Sequence, residues 1–441
     1  MEGGIDVDVF ELRDNLIEGY RRYATSFLAI SDSRIHQHVS DAFDQGRLWP
    51  APQVGLNPAF QSGGSVDELV SEELLHPQCA DIFRVDKSPT DGVGEPMTLH
   101  QHQVDAVRSA SAGSNYVLTT GTGSGKSLSY IVPIVDHVLR TGSGAGIKAL
   151  IVYPMNALAN SQEEELKKFL SHGPWGDRSP VRFAAYTGQT SAEDREEILR
   201  RPPDIILTNY VMLELILTRY TDRRLVQQLG QLQYLVLDEL HTYRGRQGSD
   251  VSFLVRRVRE ASGSPDLRCV GTSATMSSEG DYEQRRAKVA EVASTIFGAA
   301  VESQDVIGET LVRATPDHAD DDPQFVNRLG ERLRNGTPPP ADLKLFVDDP
   351  LSSWIESTFG LVEEDGRLVR ASPLAIEGPA GGAQRLSELT GIDRSLCEKA
   401  VRAQLLSGYQ VRNEKGFPVF AFRLHQFLSR GDTVYASPET P

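Results

Sequence analysis

"TTGTGSGKS" (residues 119–127) follows directly on the apolar run "YVL" (116–118). Glycines at 121, 123 and 125 suit neither a strand nor a helix, because each costs backbone entropy in regular structure. They suit a loop whose backbone N–H groups converge on an anion with no Cβ in the way. A strand, a Gly-rich loop and then Lys-Ser opening the helical run "SLSYIVPIVDHVLR" form the arrangement that cradles nucleotide phosphates. In that reading Thr120, Gly121, Thr122, Gly123, Ser124 and Gly125 shape the cradle. Lys126 reaches the β- and γ-phosphates of ATP, and the Ser127 hydroxyl ligates Mg²⁺. One position departs from the strict pattern G-x-x-x-x-G-K-[ST], which asks for glycine where this chain has Thr120.

Working outward, short β-rich runs alternate with helical ones. The expected strands are "YVLTT" (116–120), "KALIVYP" (148–154), "VRFAAYTG" (181–188), "DIILTNY" (204–210), "YLVLDEL" (234–240) and "LRCVGTSAT" (267–275). Val, Ile and Leu on both faces of a strand imply a parallel sheet covered on both sides by helices. The expectation is an α/β, doubly wound lobe over residues 96–303. "YLVLDELH" (234–241) ends such a strand in two acids, which places both carboxylates at the sheet edge that carries the phosphate loop. There Asp238 can hold Mg²⁺, and Glu239 can orient the attacking water and accept its proton.

Composition narrows the setting. The 441 residues carry 45 Lys and Arg against 61 Asp and Glu, a net charge of −16, which argues against a generic polyanion-coating protein but leaves room for a local basic groove. Three isolated cysteines, Cys79, Cys269 and Cys397, offer no zinc spacing and no disulfide framework. The acidic start "MEGGIDVDVFELRD" is not a signal peptide, and no apolar run reaches membrane-spanning length. A reducing cytoplasm and no membrane partner are expected.

With both sites in view, Asp238-Glu239-Leu240-His241 resembles the DExH box of superfamily 2 helicases. The wording of "YPMNALANSQ", "LTNYVMLELIL" and "DELHTYRGRQGSDV" resembles the MrfA-like (YprA-like) bacterial DNA helicase family. The resemblance is strong over roughly residues 95–300. It implies a RecA-like (P-loop NTPase) lobe that hydrolyses Mg·ATP and tracks single-stranded or partly duplex DNA, with RNA the alternative, in bacterial DNA repair or anti-phage defence. It further implies that Gln103 reads adenine, although a solvated helix glutamine is the plain alternative. Pro154, Asn156, Thr208 and Asn209 become candidates for strand contact, Asn156 being equally a helix cap. Ser273 and Thr275, in "GTSAT" (271–275), would couple ATP state to that contact. His241 would relay between Glu239 and this segment. Arg244, Arg246 and Gln247 would face DNA or a second lobe.

Such a motor needs a second RecA-like lobe to bring an arginine to the γ-phosphate. "GRLVR" (366–370) and "FLSRGD" (427–432) match neither the spacing nor the context of one. The chain is therefore expected to be the N-terminal portion of a longer helicase, or a single-lobe subunit that borrows its second lobe from a partner. The remaining expectations are a helical N-terminal extension (1–95), linker and surface loops (304–342), and an accessory module (343–441), either helical or winged-helix-like with a hairpin at "NEKG". A nucleotide-binding scaffold that tracks no strand is the rival from another class.

Overall fold

In the computed structural model, residues 8–26, 30–44, 49–87, 93–121, 123–171, 173, 175, 179–243, 245–274, 280–319 and 321–428 are described. Thr122, Arg244, Thr275 and most of "FLSRGD" lie outside them. The uninterrupted apolar runs form strands: β1 (Tyr116–Thr119), β2 (Ala149–Tyr153), β3 (Phe183–Ala185), β4 (Ile205–Asn209), β5 (Tyr234–Leu237) and β6 (Arg268–Ser273). A seventh, β7 (Val306–Gly308), joins them in a sheet of order β7-β1-β6-β5-β2-β4-β3, parallel throughout. Residues 306–308 fall in the expected linker; three residues are too short for a periodic signal, and β1 alone pairs with them.

The helices are α1 (Gln101–Ser111), α2 (Leu128–Thr141), α3 (Asn156–Leu170), α4 (Ala192–Arg200), α5 (Tyr210–Thr218), α6 (Gly245–Ser262) and α7 (Tyr282–Phe297). Alternate strand residues serve opposite faces, as the pleat requires. Leu118, Ile151, Leu207, Val236 and Val270 pack with α1, α2 and α3. Val117, Leu150, Val152, Ile206, Leu235 and Leu237 pack with α5, α6 and α7. The sheet is thus doubly wound, and every strand delivers its C-terminal end to one edge.

Residues 60–310 make one compact unit, and residues 1–59 with 311–441 make another, a division that differs from the four segments expected along the chain. A capping box opens the helix Val66–Ser71: Ser65 accepts the Glu68 N–H and Glu68 reaches back to the Ser65 N–H.

In the second unit the N-terminal extension, expected to be helical, contains the strand Gln53–Asn57. It pairs antiparallel with Leu374–Ala375 on one side and Ala421–His425 on the other. Only Val54 and Leu56 turn inward, too few among prolines and glycines to show periodicity, and the partners lie at the far end of the chain. The expected linker 304–342 also includes the helix Pro323–Arg334, whose Phe325 and Leu329 pack with Trp354, Phe359, Val401 and Leu405. The module expected over 343–441 carries the helices Gly382–Thr390 and Arg394–Gln410. The "NEKG" hairpin reduces to one bridge, Arg412 to Pro418, because the strand after it pairs with Gln53–Asn57 instead. "GRLVR" lies in a tight hairpin, Leu361–Glu364 with Arg367–Arg370.

Candidate functional site

The loop after β1 is shaped by its glycines and held from α1. Gly123 and Gly125 adopt φ +85° and +70°, where a side chain is strained. A Cβ on Gly125 would stand 2.6 Å from Gln103 Nε2. That amide donates to Gly125 O at 2.9 Å, while Gln103 Oε1 accepts the His100 N–H at 2.8 Å. Gln103 is 2% exposed, so its placed role is to brace the loop from below. His102 does the same through Nε2, 2.9 Å from Ser124 O. Burial pushes its pKa down; the neutral ring carries its proton on Nε2 and leaves Nδ1 without a partner. Thr120, the departure from the strict pattern, is fully buried and its hydroxyl meets Ser124 Oγ at 2.6 Å, a bond that closes the loop and that glycine would lack. Ser127 holds the N-cap position of α2 without a side-chain capping bond, and its hydroxyl is a hydrogen-bond partner of the buried Tyr130.

The two acids arrive on β5. Asp238 N–H continues the sheet by donating to Val152 O at 2.9 Å. Thr272, fully buried on the neighbouring β6, donates its hydroxyl to Asp238 Oδ1 at 2.6 Å and accepts the Glu239 N–H at 3.0 Å. Burial raises the Asp238 pKa above the usual carboxylate value, opposed by the Thr272 bond. Glu239 sits at φ +55°, a left-handed conformation that costs a non-glycine residue about 1–3 kcal/mol. Its carbonyl is held by Thr242 N–H at 2.9 Å and Thr242 Oγ1 at 2.8 Å. The turn aims the Glu239 carboxylate at the loop, with Lys126 Nζ 3.4 Å from Oε1.

His241 Nδ1 lies 3.1 Å from Glu239 Oε2 and 3.4 Å from Ala274 N. One nitrogen faces both groups, so its protonation selects between them: protonated it meets the carboxylate, bare it accepts the amide. Glu239 Oε2 is buried, with His241 Nδ1 as its near neighbour. Ser127, Asp238 and Glu239 are hard oxygen donors of the kind Mg²⁺ prefers, and the Glu239 carboxylate stands beside Lys126.

The expected strand-contact residues divide. Asn209 caps α5 by accepting the Met212 N–H at 2.8 Å, and its Nδ2 donates to Asn156 Oδ1. That bond ties the ends of β2 and β4 together. Asn156 is the first residue of α3, with Met155 in the cap position and Pro154 before it, so it does not cap its own helix. Thr208 is fully buried with its hydroxyl on Tyr186 O at 2.7 Å, which keeps it from a strand on the surface. Ser273 is buried at the end of β6, and Gln247 is half-buried on the first turn of α6. Sequence reading missed Thr272, because inside "CVGTS" it looks like any β-branched strand residue. It also missed Glu309, just past β7, whose carboxylate accepts the Gly121 N–H at 3.1 Å.

A family model described as DEAD/DEAH box helicase matches residues 100–281. Druantia protein DruE of Escherichia coli is 25% identical over 387 residues, 61% of this chain and 20% of that protein. The uncharacterized ATP-dependent helicase YprA of Bacillus subtilis is 33% identical over 162 residues, 36% of this chain and 20% of that protein. This chain therefore spans about a fifth of the length of these relatives. The crystal structure of the DUF1998 helicase MrfA bound to DNA matches with a TM-score of 0.41 at 21% identity, covering 69% of this chain and 40% of that one.

Proposed function

We propose that this chain, which carries a DEAD/DEAH box helicase domain over residues 100–281, is the ATP-binding motor lobe of an ATP-dependent nucleic-acid helicase or translocase. The observation that supports the reading is the meeting of Lys126, Asp238 and Glu239 at one sheet edge, with Glu239 held at positive φ beside Lys126. The loop amides and Lys126 bind the phosphates. Ser127 and Asp238 would hold Mg²⁺, which would supply charge neutralisation to the phosphates. Glu239 orients the attacking water and takes its proton, and His241 positions Glu239 against Ala274. The paired Asn156 and Asn209 fix the two loops that meet a nucleic-acid backbone.

DNA is the partner that the sequence resemblance implies, with RNA the alternative, and DNA repair or anti-phage defence is the setting. Among the described residues no arginine contacts Lys126, Asp238 or Glu239. A second RecA-like lobe, in the same longer chain or in a partner, would supply one, an addition worth on the order of 10³–10⁵ in rate. The test is steady-state ATPase with and without single-stranded DNA, on residues 1–441 and on a chain extended through the next lobe. The expected result is slow, DNA-insensitive turnover by the first and DNA-stimulated turnover by the second. Robust DNA-stimulated turnover by residues 1–441 alone would refute the need for a second lobe.

A further inference from the structure

The sheet edge opposite the phosphate loop, where β5 and β6 begin, holds a cavity of about 250 Å³. Tyr234 and Arg268 are register partners there, the first residues of their strands. Ser111 at the end of α1 and Asp136, His137 and Arg140 on α2 complete the wall, with the exposed Glu73 also lining it. Charges on one side cancel: Asp136 accepts Arg140 Nε at 3.0 and 2.8 Å and the His76 N–H at 2.6 Å. Arg268 has no such partner. Its Nη1 donates to the neutral Tyr234 hydroxyl at 3.1 Å, its guanidinium lies 5.3 Å from the Tyr234 ring centroid, and its Nε is buried without an acceptor. Among the described residues no carboxylate stands within ion-pair distance of it.

Other donors around the cavity are also unspent. The Tyr234 oxygen accepts from Arg268, which leaves its own proton to give. The His137 ring packs edge-on against Tyr234 at 5.6 Å and makes no hydrogen bond among the described residues. The exposed Ser111 hydroxyl makes none either. Polar groups in a crevice normally find partners, and a half-buried guanidinium without a counter-charge is costly. A cation flanked by free donors is the chemistry of an anion receptor, and the planar fork of arginine matches a two-oxygen face.

We propose that this cavity binds a small oxyanion, a carboxylate or a phosphate group, with Arg268 as the fork and Tyr234, Ser111 and His137 as hydrogen-bond donors. The volume, below the ~300–1,000 Å³ of drug-sized ligand sites, admits phosphate or a short dicarboxylate and not a nucleotide. Glu73 at the wall disfavours highly charged ligands. His137 enters neutral: burial first, then the Arg268 and Lys148 charges, push its pKa down to about 4, while Asp136 opposes them. The site is separate from the nucleotide loop and stands whether or not the chain is a motor.

The test uses the full chain with ¹³C-labelled histidine at neutral pH, the His137 ring signal being assigned by its loss in His137→Gln. Inorganic phosphate is titrated in one arm and glutarate in the other. The expected result is a saturable shift of His137 in at least one arm. That shift is unchanged in Lys126→Ala and weakened at least tenfold in Arg268→Met, as loss of a charge-assisted pair implies. Saturation by phosphate alone assigns a phosphate group, and by glutarate alone a carboxylate. Absence of a saturable shift in both arms, or one that Arg268→Met leaves intact, overturns the proposal. If Arg268→Met fails to fold by far-ultraviolet circular dichroism, Arg268→Lys replaces it: affinity must fall, because the fork is lost while the charge stays, and unchanged affinity overturns the assignment.

Discussion

Thr272→Val removes one hydroxyl at nearly constant volume, from a side chain with no exposure. That hydroxyl makes two bonds, to Asp238 Oδ1 at 2.6 Å and from the Glu239 N–H at 3.0 Å. The first is a bond to a charged acceptor, worth about 1.5–3 kcal/mol, and losing the second strands a buried amide at a cost of about 1–3 kcal/mol. The two share one oxygen and do not add fully, so roughly 3 kcal/mol is the expected loss. In a unit of this size that lowers Tm by roughly 6–12 °C. A second consequence is electrostatic. Burial already raises the Asp238 pKa and the Thr272 bond opposes that rise, so removing the bond raises it further. A carboxyl that holds its proton to higher pH binds Mg²⁺ less well as pH falls, so Mg·nucleotide affinity in the variant should drop more steeply below neutrality than in the parent. Thermal denaturation and a nucleotide titration at two pH values measure both effects, and Thr272→Ser, which keeps the hydroxyl, should restore most of each. A variant within about 0.5 kcal/mol of the parent, with unchanged pH dependence, would refute the assignment of Thr272 as the support of both acids.

Gly125→Ala should abolish nucleotide binding while the sheet stays folded, because the new Cβ strains a φ of +70° and stands 2.6 Å from Gln103 Nε2; a fluorescent nucleotide titration with a circular dichroism control reads it. His137 has a folded pKa pushed down to about 4, below its unfolded value of about 6.5, so the unfolded chain takes up the proton first as pH falls. Stability should therefore decline from about pH 6.5 to about pH 4, and His137→Gln should flatten that part of a denaturation-versus-pH curve recorded in buffer free of phosphate and carboxylate.

Much of the parallel sheet was legible because its strands are buried on both faces. Runs such as "ALIVY" and "YLVL" admit few other fates, and each ended within a few residues of its expected bound. The Gly-rich loop after β1 was legible because glycines at positive φ, here Gly123 and Gly125, are a conformational requirement and not a packing preference. What escaped detection depends on contacts between distant residues. The edge strand Val306–Gly308 exists because β1 has a free side, and the strand Gln53–Asn57 exists because Ala421–His425 reaches it. Thr272 reads as a strand residue until Asp238 is placed beside it. Thr208 and Asn209 read as one polar pair, yet the pleat turns the first inward onto Tyr186 O and leaves the second to cap α5.

Lys126, Ser127, Asp238 and Glu239 should act as one Mg·ATP site. Equilibrium binding of ATP, with and without Mg²⁺, on the parent chain and on Lys126→Ala and Glu239→Gln tests it most directly. The parent should bind ATP in a Mg²⁺-dependent way. Lys126→Ala should bind roughly 10- to 150-fold more weakly, the worth of one charge-assisted contact. Glu239→Gln should bind as well as the parent, because the amide keeps the shape and loses only the base. Equal affinity in the parent and Lys126→Ala, or no effect of Mg²⁺ on the parent, would contradict it.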